Sequence, residues 1–296
     1  MAPSGPVQHD FQATKARITY FEWGDRSNQT VLLLHATGFH ARCWDEVIKR
    51  LPDNLHVLAV DQRCHGRSEE TGLLTNWPEH AHDIVELLEA LELENVIGVG
   101  HSMGAFCMAY AGGKIPDRFA RILLIDPVMM SPQMYEMRVN EPVSFEQEHP
   151  VARRRNQWSD WREMFDRFKD RRPYNLWDKK VLEDYCRHGV LPADQGDGYR
   201  LACPPESEAS VYMSSLNHSI YDITKNVTAP VTVMRAKTRN PDEERDPLDF
   251  TLSPTWDGVA SQFPNGRDVY LPQYTHFIPM QDPGFIANCI VNEDET

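Results

Sequence analysis

Basic residues are outnumbered in this sequence and paired cysteine motifs are missing, and each absence excludes a class of function. The 296 residues include 30 Lys and Arg against 44 Asp and Glu, which gives a formal net charge of −14. Nucleic acids and anionic membranes are bound by basic surfaces, so neither is expected as a partner. The 6 cysteines include no Cys-x-x-Cys pair of the kind that holds zinc or performs redox chemistry. We therefore expect packed, reduced thiols, no metal and no cofactor.

Long apolar runs are also absent. No stretch approaches the ~20 apolar residues that span a bilayer, and the first ten residues carry no basic cluster followed by an apolar stretch. We expect a cytoplasmic protein whose partner is a small-molecule substrate, while the oligomeric state stays open. No internal repeat or low-complexity tract is visible, so this length predicts one large core with an insertion.

Short apolar runs alternate with helical patterns along most of the chain. Val31–Leu34, Val57–Val60 and Arg121–Ile125 have the composition of strands buried on both faces. This alternation predicts an α/β fold with a parallel sheet. The alternation of strand and helix patterns stops near residue 130 and resumes after residue 215. We therefore assign 1–130 and 216–296 to the core and 131–215 to an inserted helical lid. The interval 131–215 is called the inserted segment below.

The pentapeptide Gly100-His101-Ser102-Met103-Gly104 lies between an apolar run, Val96–Val99, and a helical pattern that begins at Ala105. A Gly-x-Ser-x-Gly turn in this setting presents the serine at its apex, because glycines at the flanks let strand and helix approach closely. The helix behind the serine aims unpaired amides at the same spot, so the Met103 N–H is a candidate oxyanion donor. Ser102 is the predicted nucleophile. The alternative is a small serine in a glycine-containing turn.

Three further residues follow strands and are candidates for the same site. Thr37 lies in a turn of small residues after Val31–Leu34, where its amide can act as a second oxyanion donor. Asp126 directly follows Arg121–Ile125, and His276 follows the last predicted strand. Thr37 and Asp126 also have a plain interpretation as turn residues.

Aromatic side chains recur in the inserted segment at helical spacing. They are Trp158, Trp161, Phe165 and Phe168. The spacing predicts one amphipathic helix that packs over Ser102. Trp158 and Trp161, with Phe39 and Phe277, are the predicted substrate contacts, and they indicate a bulky, largely apolar substrate. Ordinary core packing is the alternative.

The run Arg153-Arg154-Arg155 in the same segment is expected to form a solvated face. Binding of an anionic substrate group is the alternative interpretation.

Taken in order, these motifs resemble the α/β-hydrolase superfamily over the whole chain. His35–Gly38 follows one strand, Asp61–Ser68 the next, Ser102 the third, and His276 the last. The resemblance implies an eight-stranded, mostly parallel sheet flanked by helices, with an inserted cap. It also implies a catalytic triad in the chain order Ser, Asp or Glu, His.

The position of the acid departs from the commonest family pattern. Most members carry it after the seventh strand, where this sequence has Arg239. A minority branch that includes some lactone hydrolases carries it after the sixth strand, where Asp126 stands. We therefore assign the acid to Asp126, with Asp242 and Asp246 in the acidic loop as rivals.

The predicted function is that of a serine hydrolase that cleaves a carboxylic ester or lactone of a small, largely apolar substrate through an acyl-enzyme. A thioester meets the same chemical requirements. Carbon–carbon cleavage or a cofactor-free lyase reaction in the same pocket is an alternative, as is a small-molecule receptor built on a hydrolase scaffold.

Overall fold

The computed structural model describes residues 5–138, 149–215, 217–238 and 249–292. The N-terminal part supplies six strands and three helices of the core. They are β1 (Val7–Gln12), β2 (Arg17–Trp23), β3 (Gln29–Leu34), α1 (Asp45–Ile48), β4 (Leu55–Asp61), α2 (Trp77–Ala90), β5 (Val96–His101), α3 (Met103–Lys114) and β6 (Phe119–Ile125).

The inserted segment contains four helices and three short strands in its described part. They are α4 (Pro132–Arg138), β7 (Gln157–Trp158), α5 (Trp161–Phe168), α6 (Lys179–His188), β8 (Val190–Pro192), β9 (Tyr199–Leu201) and α7 (Pro205–Ser214). The strands pair antiparallel in the order β7-β9-β8. Trp158 was expected in one helix with Trp161, but it lies in β7, because Asp160 caps α5 and starts the helix after it.

The remaining elements complete the core. They are α8 (Tyr221–Thr224), β10 (Val231–Ala236), β11 (Gly266–Leu271), α9 (Ile278–Gln281) and α10 (Pro283–Val291). Between β10 and β11 the chain forms a 3-10 turn, Val259–Gln262. Trp256 does not belong to it, since its N–H donates to the carbonyl of Met129 at 3.0 Å.

Eight strands form one sheet in the order β1-β2-β4-β3-β5-β6-β10-β11. β2 is antiparallel to β1 and β4, and the other neighbours are parallel. The predicted eight-stranded, mostly parallel sheet is therefore confirmed. β1 was not predicted, because it is a polar edge strand, VQHDFQ, whose residues are all exposed or half-buried.

Consecutive apolar residues on the central strands serve two separate core layers. On β3, Leu32 and Leu34 pack into the layer that contains α2 and α3, while Val31 and Leu33 pack into the layer that contains α1 and α10. Side chains alternate across a strand, so a strand covered on both faces has no polar side. The parallel arrangement brings the carboxyl ends of β3, β5 and β6 to one edge of the sheet.

A third cluster joins the inserted segment to loops at that edge. The ring of Phe39 lies 5.5 Å from Trp177, 5.1 Å from Tyr185 and 6.1 Å from Phe277. The first two belong to the inserted segment and the last follows His276. Aromatic packing therefore holds this segment against the edge where the candidate site residues lie.

All six cysteines are buried and none forms a disulfide. Among the described residues, no helix combines the length and apolarity that crossing a bilayer requires.

Candidate active site

The turn at Ser102 is strained in the way the pentapeptide predicts. Ser102 has φ 58° and ψ −116°, a left-handed conformation that L residues other than glycine rarely adopt. A Cβ on Gly100 would lie 2.4 Å from the carbonyl oxygen of Gly104, and a Cβ on Gly104 would lie 2.4 Å from that of Leu34. Any larger residue at either glycine would push α3 away from the sheet. The glycines therefore allow the tight turn that lifts Ser102 to its apex.

The structure brings Ser102, His276 and Asp126 into one hydrogen-bonded series. His276 Nδ1 lies 2.6 Å from Asp126 Oδ2, and His276 Nε2 lies 3.0 Å from Ser102 Oγ. An ionised carboxylate only accepts, so the Nδ1–H donates to it and Nε2 is left to accept from the Ser102 hydroxyl. All three residues are buried, with 5%, 8% and 0% exposure for Ser102, His276 and Asp126. The hydroxyl proton therefore points at an unprotonated nitrogen.

Donors from another loop and strand hold the Asp126 carboxylate. Its Oδ1 accepts from the Ala236 N–H at 3.0 Å, from the Thr255 hydroxyl at 3.0 Å and from the Ser253 hydroxyl at 2.5 Å. These bonds leave Oδ2 to His276. Sequence reasoning missed Ser253 and Thr255, since they lie more than a hundred residues away and no local pattern marks them. The rivals Asp242 and Asp246 lie outside the described residues.

Two backbone contacts position His276. Its N–H donates to the carbonyl of Thr251 at 2.8 Å, and its carbonyl accepts from His101 Nε2–H at 2.8 Å. Burial lowers the pKa of His101 to about 3, so that ring stays neutral. His101, the second residue of the pentapeptide, thus links the serine turn to the loop that carries the histidine.

Two backbone N–H groups near Ser102 have no acceptor among the residues that the structure describes. Met103 is the first residue of α3, and an amide at that position has no partner within its helix. Thr37 lies inside a turn closed by the Phe39 N–H, which donates to the carbonyl of Ala36 at 3.1 Å. Both amides are free to bind an oxyanion.

A buried histidine holds the Thr37 turn. The N–H of Gly38, which has φ +77°, donates to His65 Nε2 at 3.0 Å. Burial lowers the pKa of His65 to about 4, which keeps the nitrogen unprotonated and able to accept. His65 belongs to the segment after β4, so that segment fixes the turn.

A cavity of about 430 Å³ adjoins this group. Thr37, Phe39, Trp158 and Phe277 line it, together with further aromatic residues of the inserted segment, whereas Ser102 and His276 do not. The cavity therefore approaches the hydrogen-bonded series without including it. Its volume lies within the range of about 300–1,000 Å³ usual for small-molecule pockets.

Trp161 lies elsewhere, although it was predicted to contact substrate with Trp158. Its ring packs against the guanidinium groups of Arg162 and Arg187, at 4.7 and 4.6 Å, and it is not among the residues that line the cavity. Trp158 and Trp161 belong to different elements, so the expectation that they share one helical face is wrong.

The expectation of a merely solvated arginine run is wrong, because all three arginines line the cavity. Arg154 is ion-paired with Glu208, and it donates to the Tyr185 hydroxyl at 3.0 Å. A Cβ on Gly38 would lie 2.4 Å from Glu208 Oε1, so this ion pair stands against the turn that carries Thr37. Arg153 and Arg155 line the same cavity and are exposed as well.

One group in the described part of the chain has ligand atoms spaced for a metal ion. Asp45, Asp184 and His188 place one such atom each within 4.8 Å of one another. The guanidinium of Arg42 already donates to both oxygens of Asp45, and Lys49 Nζ lies 3.9 Å from Asp184. Arg42 thus already occupies the Asp45 carboxylate.

Comparison with known proteins gives similarity at two levels. The model of the alpha/beta hydrolase family matches residues 31–288. The chain is 33% identical over 113 residues to the non-heme chloroperoxidase of Streptomyces lividans, which covers 38% of this chain and 41% of that protein. It is 35% identical over 112 residues to the 2-(acetamidomethylene)succinate hydrolase of Mesorhizobium japonicum, covering 37% and 40%. The matched region thus spans about two fifths of these curated relatives.

Among solved structures, an E-2-(acetamidomethylene)succinate hydrolase superposes with a TM-score of 0.74. The superposition covers 98% of this chain and 100% of that chain at 20% sequence identity. At this identity the likeness establishes the fold.

Proposed function

The chain belongs to the alpha/beta hydrolase family, and from this premise we propose that it is an enzyme that hydrolyses an ester-type bond with Ser102 as nucleophile. The observation that carries the proposal is the hydrogen-bonded series Ser102–His276–Asp126, with distances of 3.0 and 2.6 Å. A hydroxyl is a poor nucleophile at neutral pH unless a base accepts its proton, and His276 Nε2 is suitably placed for that. The relative from Mesorhizobium japonicum is named a hydrolase, which supports this reaction class.

In the first half of the reaction, Ser102 Oγ bonds to the acyl carbon while its proton moves to His276 Nε2. The carbonyl electron pair moves onto oxygen, and the N–H groups of Thr37 and Met103 donate to the resulting oxyanion. Such donors are worth about 3 kcal/mol each in comparable sites. Asp126 orients the imidazole and stabilises its cationic form.

The first tetrahedral intermediate then collapses: the carbonyl bond re-forms, the bond to the leaving oxygen breaks, and that oxygen takes the proton from His276. This leaves the acyl group on Ser102. A water molecule then gives a proton to His276 and attacks the acyl carbon, and collapse of the second tetrahedral intermediate returns the proton to Ser102 Oγ. The products are an alcohol and a carboxylic acid.

We propose a carboxylic ester or a lactone of a small molecule as the substrate, with the inserted segment as the lid. Phe39, Trp158 and Phe277 line the cavity, and their rings suit the apolar body of such a compound. Phe277 follows His276 directly, so substrate in the cavity lies beside the proposed base. A cavity of about 430 Å³ beneath the proposed lid favours a compact molecule over a polymer.

A fluorophosphonate probe and a substrate panel test the proposal together. The probe forms a covalent bond with an activated serine, so we expect a mass increase on the peptide that contains Ser102 in the wild-type protein. Ser102→Ala removes the labelled group, whereas Ser261→Ala, at an exposed serine, leaves labelling unchanged. The panel contains nitrophenyl esters, lactones and thioesters.

We expect Ser102→Ala to lower kcat/KM for the best panel member by about 10⁴-fold or more, with circular dichroism unchanged. Preferred turnover of thioesters would overturn the substrate class. Unlabelled Ser102, or equal turnover by wild type and Ser102→Ala, would overturn the proposed nucleophile.

A further inference from the structure

The charge of the cavity lining is opposite to that of the chain. The whole sequence carries a formal net charge of −14. Among the described residues, however, the cavity is lined by five arginines and a single carboxylate, that of Glu208. The arginines are Arg153, Arg154, Arg155, Arg167 and Arg171. A cationic pocket on an acidic protein attracts anions selectively, because charges of one sign within a cleft focus the local field.

Arg153, Arg154 and Arg155 all interact with other parts of the protein. Arg154 is paired with Glu208. Arg155 pairs with Glu163 at 2.5 Å, and its guanidinium lies 4.3 Å from the ring centre of Trp158. These contacts explain why Arg154 and Arg155 are held in the wall of the cavity.

Arg167 and Arg171 differ from them. Arg167 lies at the end of α5 and Arg171 in the turn that follows, and both are exposed where they line the cavity. Within the described part of the chain, neither guanidinium has a carboxylate or carbonyl partner. Two cations at one cavity repel each other, and a bound anion would relieve that repulsion.

The cavity connects these cations to the proposed chemistry. Its lining includes Thr37, whose amide is a proposed oxyanion donor, and Phe277, which follows the proposed base His276. One molecule that fills the cavity can therefore contact these arginines as well as residues beside Ser102 and His276. The aromatic residues of the same lining suit the apolar part of such a molecule.

We propose that the substrate is an anionic ester, whose carboxylate or phosphate group is bound by Arg167 and Arg171 while its acyl carbon faces Ser102. This inference rests on the proposed hydrolase function and adds the chemical class of its substrate. Guanidinium groups donate paired hydrogen bonds that match the geometry of both oxyanions. Arg167 and Arg171 would then be specificity-determining residues.

The test compares two esters of equal length with the full-length protein. Mono-4-nitrophenyl adipate carries a free carboxylate, and methyl 4-nitrophenyl adipate is its neutral counterpart. The variant Arg167→Gln/Arg171→Gln removes the two cations. The control Arg162→Gln/Arg172→Gln removes two exposed charges from the same region, at positions that do not line the cavity.

We expect wild type to prefer the anionic ester, and we expect Arg167→Gln/Arg171→Gln to lower kcat/KM for it by about 30-fold, as loss of charged hydrogen bonds predicts. Turnover of the neutral ester should change by less than about twofold, as should both activities of the control. Equal turnover of the two esters by wild type would overturn the proposal. So would an equal loss in both double variants.

A binding measurement separates this inference from the proposed reaction. Adipate and pentyl phosphate are titrated calorimetrically into Ser102→Ala with and without the Arg167→Gln/Arg171→Gln changes. Binding that depends on the two arginines supports the anion site even where no ester is turned over. The tighter of the two probes identifies the anion as carboxylate or phosphate. Absence of binding by both, or binding that survives the double substitution, would overturn the site.

Discussion

At the carboxyl edge of the sheet, every polar group of the candidate triad is hydrogen-bonded to another part of the protein, whereas the guanidinium groups of Arg167 and Arg171 in the adjoining cavity have no such partner among the described residues. Asp126 accepts four hydrogen bonds and is completely buried. Arg167 and Arg171 are exposed and have no acid partner in the described residues. The first region holds a proton-transfer geometry through contacts between the protein's own residues. The second has capacity left for a ligand.

The two regions also differ in what supports them. The sheet edge is formed by paired strands, and backbone hydrogen bonds set the position of each strand end. The cavity wall is formed largely by short helices and turns, which aromatic contacts and ion pairs hold together. Substitutions at the edge should therefore change chemistry, and substitutions in the wall should change stability or substrate choice.

The largest effect is expected at the triad acid. Asp126→Asn keeps the shape of the side chain but removes the charge that stabilises the imidazolium, so kcat should fall by about 10⁴-fold. Steady-state kinetics on the best panel ester measures this. Asp242→Asn and Asp246→Asn are the matched controls, each expected to stay within about threefold of wild type. A larger loss at either control would move the acid to the acidic loop.

The next effect concerns the ion pair between the cavity and the Thr37 turn. Glu208→Gln leaves the Arg154 cation without its carboxylate, which should cost about 3–5 kcal/mol in the free energy of unfolding. Urea denaturation measures the loss. Glu163→Gln breaks the exposed pair with Arg155 and should cost far less, because solvent screens that pair.

The double variant Arg154→Met/Glu208→Gln completes this experiment. It removes both charges, so it should be more stable than Glu208→Gln alone. A Glu208→Gln protein as stable as wild type would show that this pair does not hold the wall.

A smaller effect distinguishes two tryptophans that the sequence treats alike. Trp158→Leu removes aromatic surface from the cavity and should raise KM about tenfold, as loss of a large apolar contact predicts. Trp161→Leu should leave KM within about twofold, since that ring packs on Arg162 and Arg187. Initial rates across ester concentrations measure both values. Equal changes in the two variants would contradict the lining assigned to the cavity.

The smallest expected effect is a pH-dependent change in thermal stability, caused by the carboxylate of Asp184 on α6. Burial, together with the nearby Asp45 carboxylate, raises the pKa of Asp184 to about 6. Its unfolded value is about 4, so the ionised carboxylate destabilises the fold above pH 6 and costs nothing below pH 4. Asp184→Asn should therefore raise Tm at pH 7.5 by about 2–4 °C, and the gain should vanish at pH 4.

Thermal melts at both pH values measure this. Glu183→Gln, on the same helix but more exposed, is the control and should shift Tm by less than about 1 °C. A gain at Asp184→Asn that is the same at both pH values would exclude titration of this carboxylate as the cause.

The sequence predicted what depends on local pattern. The central strands and the turn at Ser102 follow from runs of apolar residues and from glycines at set positions, whereas the number of eight strands was implied by the family resemblance. It missed β1, because a polar edge strand has no apolar run to mark it. It placed Trp158 in a helix, because three-residue spacing continues across the Asp160 cap and hides the break.

The sequence by itself determined the fold class and the identities of Ser102, Asp126 and His276 as candidates, because side-chain periodicity and strand-end position are properties of neighbouring residues. Only the tertiary structure decided what surrounds them. Ser253 and Thr255 reach Asp126, and arginines of the inserted segment line one cavity with Thr37 and Phe277, because those contacts arise when separate segments pack together. The charge at a site depends on which side chains face it. The spacing of residues along the chain does not determine which way those side chains point.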